Sequence, residues 1–208
     1  MAIWFTADTH FGHTNIIRHC NRPFGSVQEM DEALIASINT HVAETDTLYH
    51  LGDFAFRGND PAAYRGRIRC RSIVLILGNH DPQTLAGVTK PEFSSLFAGV
   101  HSLLRIKPSL EGAAQQIMLC HYAMRVWDKV HHGSWHLFGH SHGTLPDDPG
   151  ARSWAVGVDA NWYKPVSLEA VAAIMAKKHF VPVDAHGRRG GGGREEAKGP
   201  DEGAESDE

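Results

Sequence analysis

The chain has 208 residues, 42 % hydrophobic and 21 % charged, the proportions of an ordinary globular protein large enough for one sizeable core. No apolar run approaches the ~20 residues of a membrane-spanning helix, and "MAIWFTAD" lacks the basic segment of a signal peptide and leads straight into a strand. The formal charge of -4 gathers at the end, where residues 185–208 hold four Lys or Arg against seven Asp or Glu. The body is therefore near neutral and lacks the basic balance of a dedicated nucleic-acid binder. Three cysteines, Cys20, Cys70 and Cys120, form no CxxC pair and read as reduced thiols of a cytoplasmic protein.

Short β-like runs alternate with helical or loop segments, which argues for an α/β (layered α+β) domain over residues 1–184. The first run, "IWFTADTH", ends in Asp8 and His10. A helix is expected over 26–42, with Ser26 and Glu29 as a capping box and Met30, Leu34, Ile38 and Val42 along one face. "TLYHLGD" then ends in Gly52 and Asp53, and "IVLILGNHD" passes five apolar side chains before Gly78, Asn79, His80 and Asp81. Between them, "RGNDPAAYRGRIRCR" reads as a solvated helix face and loop. Late strands are expected at 101–106, 115–121, 135–139 and 154–159, with no cap domain recognisable between 82 and 120. "QIMLCH" ends in His121 and "WHLFGHSH" in His140 and His142. A last helix follows Ser167, with Leu168, Val171, Ala172 and Met175 facing inward. Beyond Asp184 the Gly-rich, acidic segment has almost nothing to bury and is expected to be disordered.

Five apolar runs thus end in metal-ligand residue types. Loops at the carboxyl ends of strands converge on one crevice, so Asp8, His10, Asp53, Asn79, His121, His140 and His142 are expected to meet. Oxygen donors mixed with imidazoles suit Mn, Fe, Co, Ni or Zn, whereas all-oxygen sites suit Mg or Ca. Seven ligands are too many for one ion and right for two that share a bridge. His50, His101 and His136 read as structural.

In their order, "DTH", "GD", "GNHD", a lone His after a strand and "GHSH" over residues 3–143 resemble the calcineurin-like metallophosphoesterase superfamily. Within it the chain is similar to small bacterial and phage-type phosphoesterases that begin with "DTHFGHxNI". The resemblance implies a two-sheet β-sandwich flanked by helices. It implies that Asp8, His10 and His142 bind one divalent ion, that Asn79, His121 and His140 bind a second, and that Asp53 bridges them. Mn is the first choice, with Fe, Co, Ni or Zn as alternatives. It further implies attack by a metal-bridging hydroxide, His80 as the general acid, and Arg57 and His13 beside the substrate.

The leading functional reading is a phosphodiesterase; the alternative is a protein or small-molecule phosphomonoesterase. A metal-free scaffold is the reading from another class, and the presence of all seven ligand types and His80 argues against it. The serine/threonine phosphatase branch carries "GDxxDRG", whose second aspartate orients the catalytic histidine. Here "GDFAFRG" has Phe56 in its place, which favours diesters, unless Asp60 or Asp81 substitutes. The substrate is a phosphate ester, open among nucleotides, nucleic acid and phosphodiester lipids. Neither a membrane nor a protein partner is indicated.

Overall fold

A computed structural model describes residues 1–81, 95–181 and 183. The first sheet has the order β11-β1-β2-β3-β4. Its strands are β1 (Ile3–Thr6), β2 (Thr47–His50), β3 (Ser72–Ile76), β4 (Gly99–His101) and β11 (Val166–Ser167). β1 to β4 run parallel and β11 closes the edge antiparallel to β1. The second sheet runs β10-β9-β8-β5, from β5 (Leu103–Ile106), β8 (Ile117–Cys120), β9 (Trp135–Phe138) and β10 (Ser153–Ala155). There β8, β9 and β10 are parallel and β5 is antiparallel to β8. A small hairpin of β6 (Ser109–Leu110) and β7 (Ala113–Ala114) stands apart.

The two sheets face each other across one core. Phe5, Ala7, Leu51 and Ile76 of the first pack on Ile117, Leu119, Trp135 and Leu137 of the second. Both faces of β9 are buried, so it reads as a continuous apolar run rather than an alternating one. A second core lies on the other face of the first sheet, beneath α1 (Thr14–His19), α2 (Val27–His41) and α3 (Pro61–Arg65). The α2 helix begins where Ser26 Oγ accepts the Glu29 N–H and is held by buried Met30, Leu34, Ile35 and Ile38. Each such side chain contributes about 1.5–3 kcal/mol by leaving water. α4 (Leu168–Met175), capped by Ser167, buries Leu168, Val171 and Met175 between the sheets, with Ala172 packed alongside. The outer face of the second sheet is covered by Trp127, Val130, Met124 and Phe180 around Met118.

This α/β arrangement of two mixed sheets flanked by helices is the expected one. The expected strand at 154–159 is shorter. β10 stops at Ala155 and the chain turns through a 3-10 segment, Val158–Ala160. The reason is local: Gly157 pairs with Ala7 in an isolated parallel bridge, and a Cβ there would strike the Asp8 carboxylate. Residues 185–208, expected to be disordered, and residues 82–94, the first part of the 82–120 stretch expected to hold no cap domain, lie outside the described residues. No helix among the described residues is long and apolar enough to cross a membrane.

Candidate metal centre

Five parallel strands end at one place. β1 leads to Asp8 and His10, β2 to Asp53, β3 to Asn79 and His80, β8 to His121, and β9 to His140 and His142. Backbone hydrogen bonds lock these loops together. Asp8 N–H donates to Gly52 O at 3.0 Å, His10 N–H to Asp53 O at 2.9 Å, and Gly139 N–H to His121 O at 2.9 Å. The GD and GNHD loops lie in direct contact, because a Cβ at Gly78 would overlap the Asp53 carboxylate. Glycine supplies that clearance.

Asp8, His10 and His142 bring ligand atoms within 4.8 Å of one another, and so do Asp53, His121 and His140. Asn79 joins the second group: its Oδ1 lies 3.0 Å from both His121 Nε2 and His140 Nδ1. Asp53 stands between the groups, its Oδ2 at 3.4 Å from His10 Nε2 and 3.5 Å from His121 Nε2. Both carboxylates divide their oxygens in the same way. Oδ1 of Asp8 accepts the His140 N–H at 3.0 Å, and Oδ1 of Asp53 accepts the His80 N–H at 2.8 Å. The second oxygen of each remains for the site.

Tautomers follow from the partners. His121 Nδ1 lies 2.7 Å from Leu51 O, which can only accept, so its N–H points there and Nε2 faces Asn79 and Asp53. His142 Nδ1 lies 2.6 Å from Asp159 Oδ2, so its Nε2 is the ligand atom.

Electrostatics set the groups in tension. Burial pushes the Asp8 carboxyl up to about 6 and the His10 imidazole down to about 2. Burial also works against Asp53, yet the hydrogen bond and charge of His121 hold it down at about 2. His142 is opposed by burial but lifted to about 10 by its hydrogen bonds to Asp159 and Cys20. Asp8 Oδ2 and both His10 nitrogens are buried without a hydrogen-bond partner. Unsatisfied buried polar groups cost roughly 1–3 kcal/mol each, and a divalent cation would satisfy Asp8 Oδ2 and one of the two His10 nitrogens. The residues therefore fit a metal, and the two clusters are typical of a binuclear metallophosphoesterase centre.

A family model described as calcineurin-like phosphoesterase matches residues 1–144. The chain belongs to this family. An uncharacterized protein of Methanocaldococcus jannaschii is 31 % identical over 186 residues, covering 86 % of this chain and 94 % of that one. A crystal structure of a protein of unknown function from Aquifex aeolicus shares the fold at a TM-score of 0.59 and 21 % identity, covering 83 % of this chain and 98 % of that one. Family membership implies hydrolysis of a phosphoester.

For this phosphoesterase the remaining expected residues fall as follows. His80 lies with its ring centroid 5.2 Å from that of His10. His13 stacks on Phe56 at 3.7 Å and 8°, and its ring is 6.4 Å from His80. Burial, then the charges of His80 and His19, lower the His13 imidazole to about 4. Arg57 is exposed, its guanidinium carbon 5.6 Å from the Phe56 ring centroid. The other arginines of its segment serve structure. Arg65 donates to Leu96 O, Ile68 O and Arg71 O, while Arg67 and Arg71 pair with Glu32 and Glu44. Of the other histidines, His50 and His136 are buried in hydrogen bonds, whereas His101 is exposed on β4.

Three residues escaped the sequence reading. Arg22, only 4 % exposed, grips Asp159 through Nε and Nη2, both at 2.8 Å, and donates to Asp8 O and Thr9 O. Asp159 in turn holds His142. Asp31 on α2 accepts the Gly12 N–H at 3.1 Å and steadies the loop from His10 to His13. None belongs to a recognisable motif. A buried-arginine signal in "NRPF" and an acid in the turn "GVDAN" are the only traces they leave.

Proposed function

We propose that the chain is a two-metal phosphodiesterase in which His80 protonates the leaving group. The observation that carries the metal assignment is the placement of Asp53 Oδ2 between the two ligand groups. In this reading Asp8, His10 and His142 would hold one ion, Asn79, His121 and His140 would hold the other, and Asp53 would be shared by both. Two such ions supply Lewis acidity and an activated water for in-line displacement at phosphorus. Leu51 O and Asp159 fix the imidazole tautomers, and the amide bonds to Asp8 and Asp53 hold those carboxylates at their working angle. His80, tied to Asp53 through its backbone N–H and standing beside His10, would give a proton to the departing alkoxide.

The preference for diesters rests on Phe56. It occupies the sequence position of the phosphatase carboxylate and stacks on His13. Neither candidate substitute is available. Asp81 spends its oxygens on the N–H groups of Gly78, Asp53 and Phe54, and Asp60 caps α3 at Ala62. A diester also brings one negative charge fewer to an anionic nucleophile than a monoester dianion does.

The test is kcat/KM for matched aryl mono- and diesters and a phosphoserine peptide, run separately with Mn, Fe, Co, Ni and Zn. Diesters are expected to lead; a clear lead for the peptide would turn the assignment to phosphomonoesterase. His80→Ala is expected to keep its metals and lose about 10²–10⁴-fold in turnover, most for poor leaving groups. An equal loss across leaving groups would remove His80 from the acid role.

A further inference from the structure

Beside the metal ligands lies a cavity that the hydrolytic chemistry does not use. It has a volume of about 780 Å³, and its walls include Trp127, Val130, Phe138, Trp154, Phe180 and Leu145. That size falls within the range of pockets that enclose a small-molecule substituent. His142 and Asp159 are among the residues that line it. A second, more open cleft contains His140 and His142 together with Tyr122, and shares Ala123, His142 and Leu145 with the first. The two spaces adjoin along Ala123, His142 and Leu145, the path by which a bound group would pass from the proposed ligands into the apolar chamber. Tyr122 and Leu145, 45 % and 47 % exposed, flank that path with hydrocarbon surface.

Charge narrows the occupant further. Among the described lining residues of both spaces, Arg125 is the only Lys or Arg, and Asp147 and Asp148 stand on the same rim. Asp147 is paired with Lys178, whose ammonium lies over the Trp154 ring. Such a lining cannot offset the desolvation of further phosphates, whereas an apolar chain or ring gains by leaving water. A nucleic-acid strand would carry its next phosphate into this chamber and find Arg125 on the lining, with Lys178 and Arg152 set against the Trp154 and Phe180 rings of its walls and Lys178 already paired with Asp147.

We infer that the chamber is the subsite for the retained organic group of the substrate, and that this group is an uncharged alkyl or aryl moiety. The inference rests on the phosphoesterase reading above. It distinguishes a phosphodiester with an apolar alcohol from an oligonucleotide.

The experiment uses the full chain loaded with Mn and a series of 4-nitrophenyl alkyl phosphates with methyl, butyl and octyl groups. The leaving group is constant, so only the retained group varies. kcat/KM is expected to rise by about threefold to fourfold per buried methylene until the chamber is filled. The octyl-to-methyl ratio should collapse toward one in Ala123→Trp, which narrows the path at an exposed position, and in Ser153→Phe, which fills the chamber from β10. Thermal melts of both variants exclude misfolding. A flat ratio in the unmodified protein overturns the inference while leaving the phosphoesterase reading intact. Absence of hydrolysis throughout the series with every metal overturns the reading itself. Faster turnover of single-stranded DNA than of the octyl diester also overturns the inference. So does an octyl preference that emerges only on deletion of residues 184–208, since the chain's own C-terminal segment would then be the occupant.

Discussion

The two ligand groups each combine an Asp with two His, the second adding Asn79, and differ in how they are enclosed. Around the first, Asp8 and His10 are buried and His142 is held by Asp159, which is itself clamped by buried Arg22. Around the second, Asp53 and His121 are buried, but His140 and Asn79 are exposed at the rim. The first group is braced through Asp159 and Arg22; the second opens to solvent at His140 and Asn79. Ligand count alone would make them equals. Under the proposed assignment, bracing should make the first the tighter holder of its ion and the second the more readily exchanged.

The largest expected effect tests what the groups share. Asp53→Asn should weaken both, lowering bound metal below one ion per chain. Turnover should fall by more than the roughly 100-fold that outer partners of a metal ligand control. Retention of two tightly bound ions would remove Asp53 from the bridging role. Smaller and selective effects test what they do not share. Asn79→Ala should weaken only the second ion. Asp159→Asn should weaken only the first, by about 10–100-fold, with a fall in melting temperature because Arg22 loses its buried partner. Calorimetric titration with Mn separates the two; identical losses at both ions in both variants would show the groups to be one unit.

The same variant carries a pH signature. With His142 lifted to about 10 in the metal-free protein, an incoming ion must displace its proton. First-site affinity should therefore rise about tenfold per pH unit from near 7 toward 10. In Asp159→Asn the imidazole returns toward its ordinary value near 6.5, and the slope above pH ~7.5 should flatten. An unchanged slope would mean that Asp159 does not hold that proton.

The strand ends of the centre were legible in sequence because each carries ligand types after an apolar run. The bracing was not. Arg22 and Asp159 are 137 residues apart and meet only when β1 and β10 are brought together by the Ala7–Gly157 bridge. A periodic pattern cannot announce such a pair. Nor does sequence announce backbone strain. Asp8, His10, Asp53, His140 and His142 all adopt positive φ, between 47° and 67°, although none is glycine. Each such conformation costs of order 1–3 kcal/mol and persists where its surroundings over-determine it. Here those surroundings are the interlocking amides of neighbouring loops. Arg57 and His13 illustrate a further limit. Spacing places them near the motifs, but only coordinates reveal that Phe56 joins them.

The division of each carboxylate between an amide and the site gives the protein a built-in indicator. A cation drawn to Oδ2 of Asp8 withdraws electron density from Oδ1, and the His140 amide that donates to it loses part of its hydrogen bond. The His80 amide is tied in the same way to Asp53. In a ¹⁵N-resolved spectrum recorded with diamagnetic Zn these two protons should move upfield as metal is added. The His80 signal would report the carboxylate shared by both ions, and the His140 signal both the Asp8 carboxylate and the ligation of the second ion by His140 itself, so filling is followed in two resonances that no turnover measurement is needed to read.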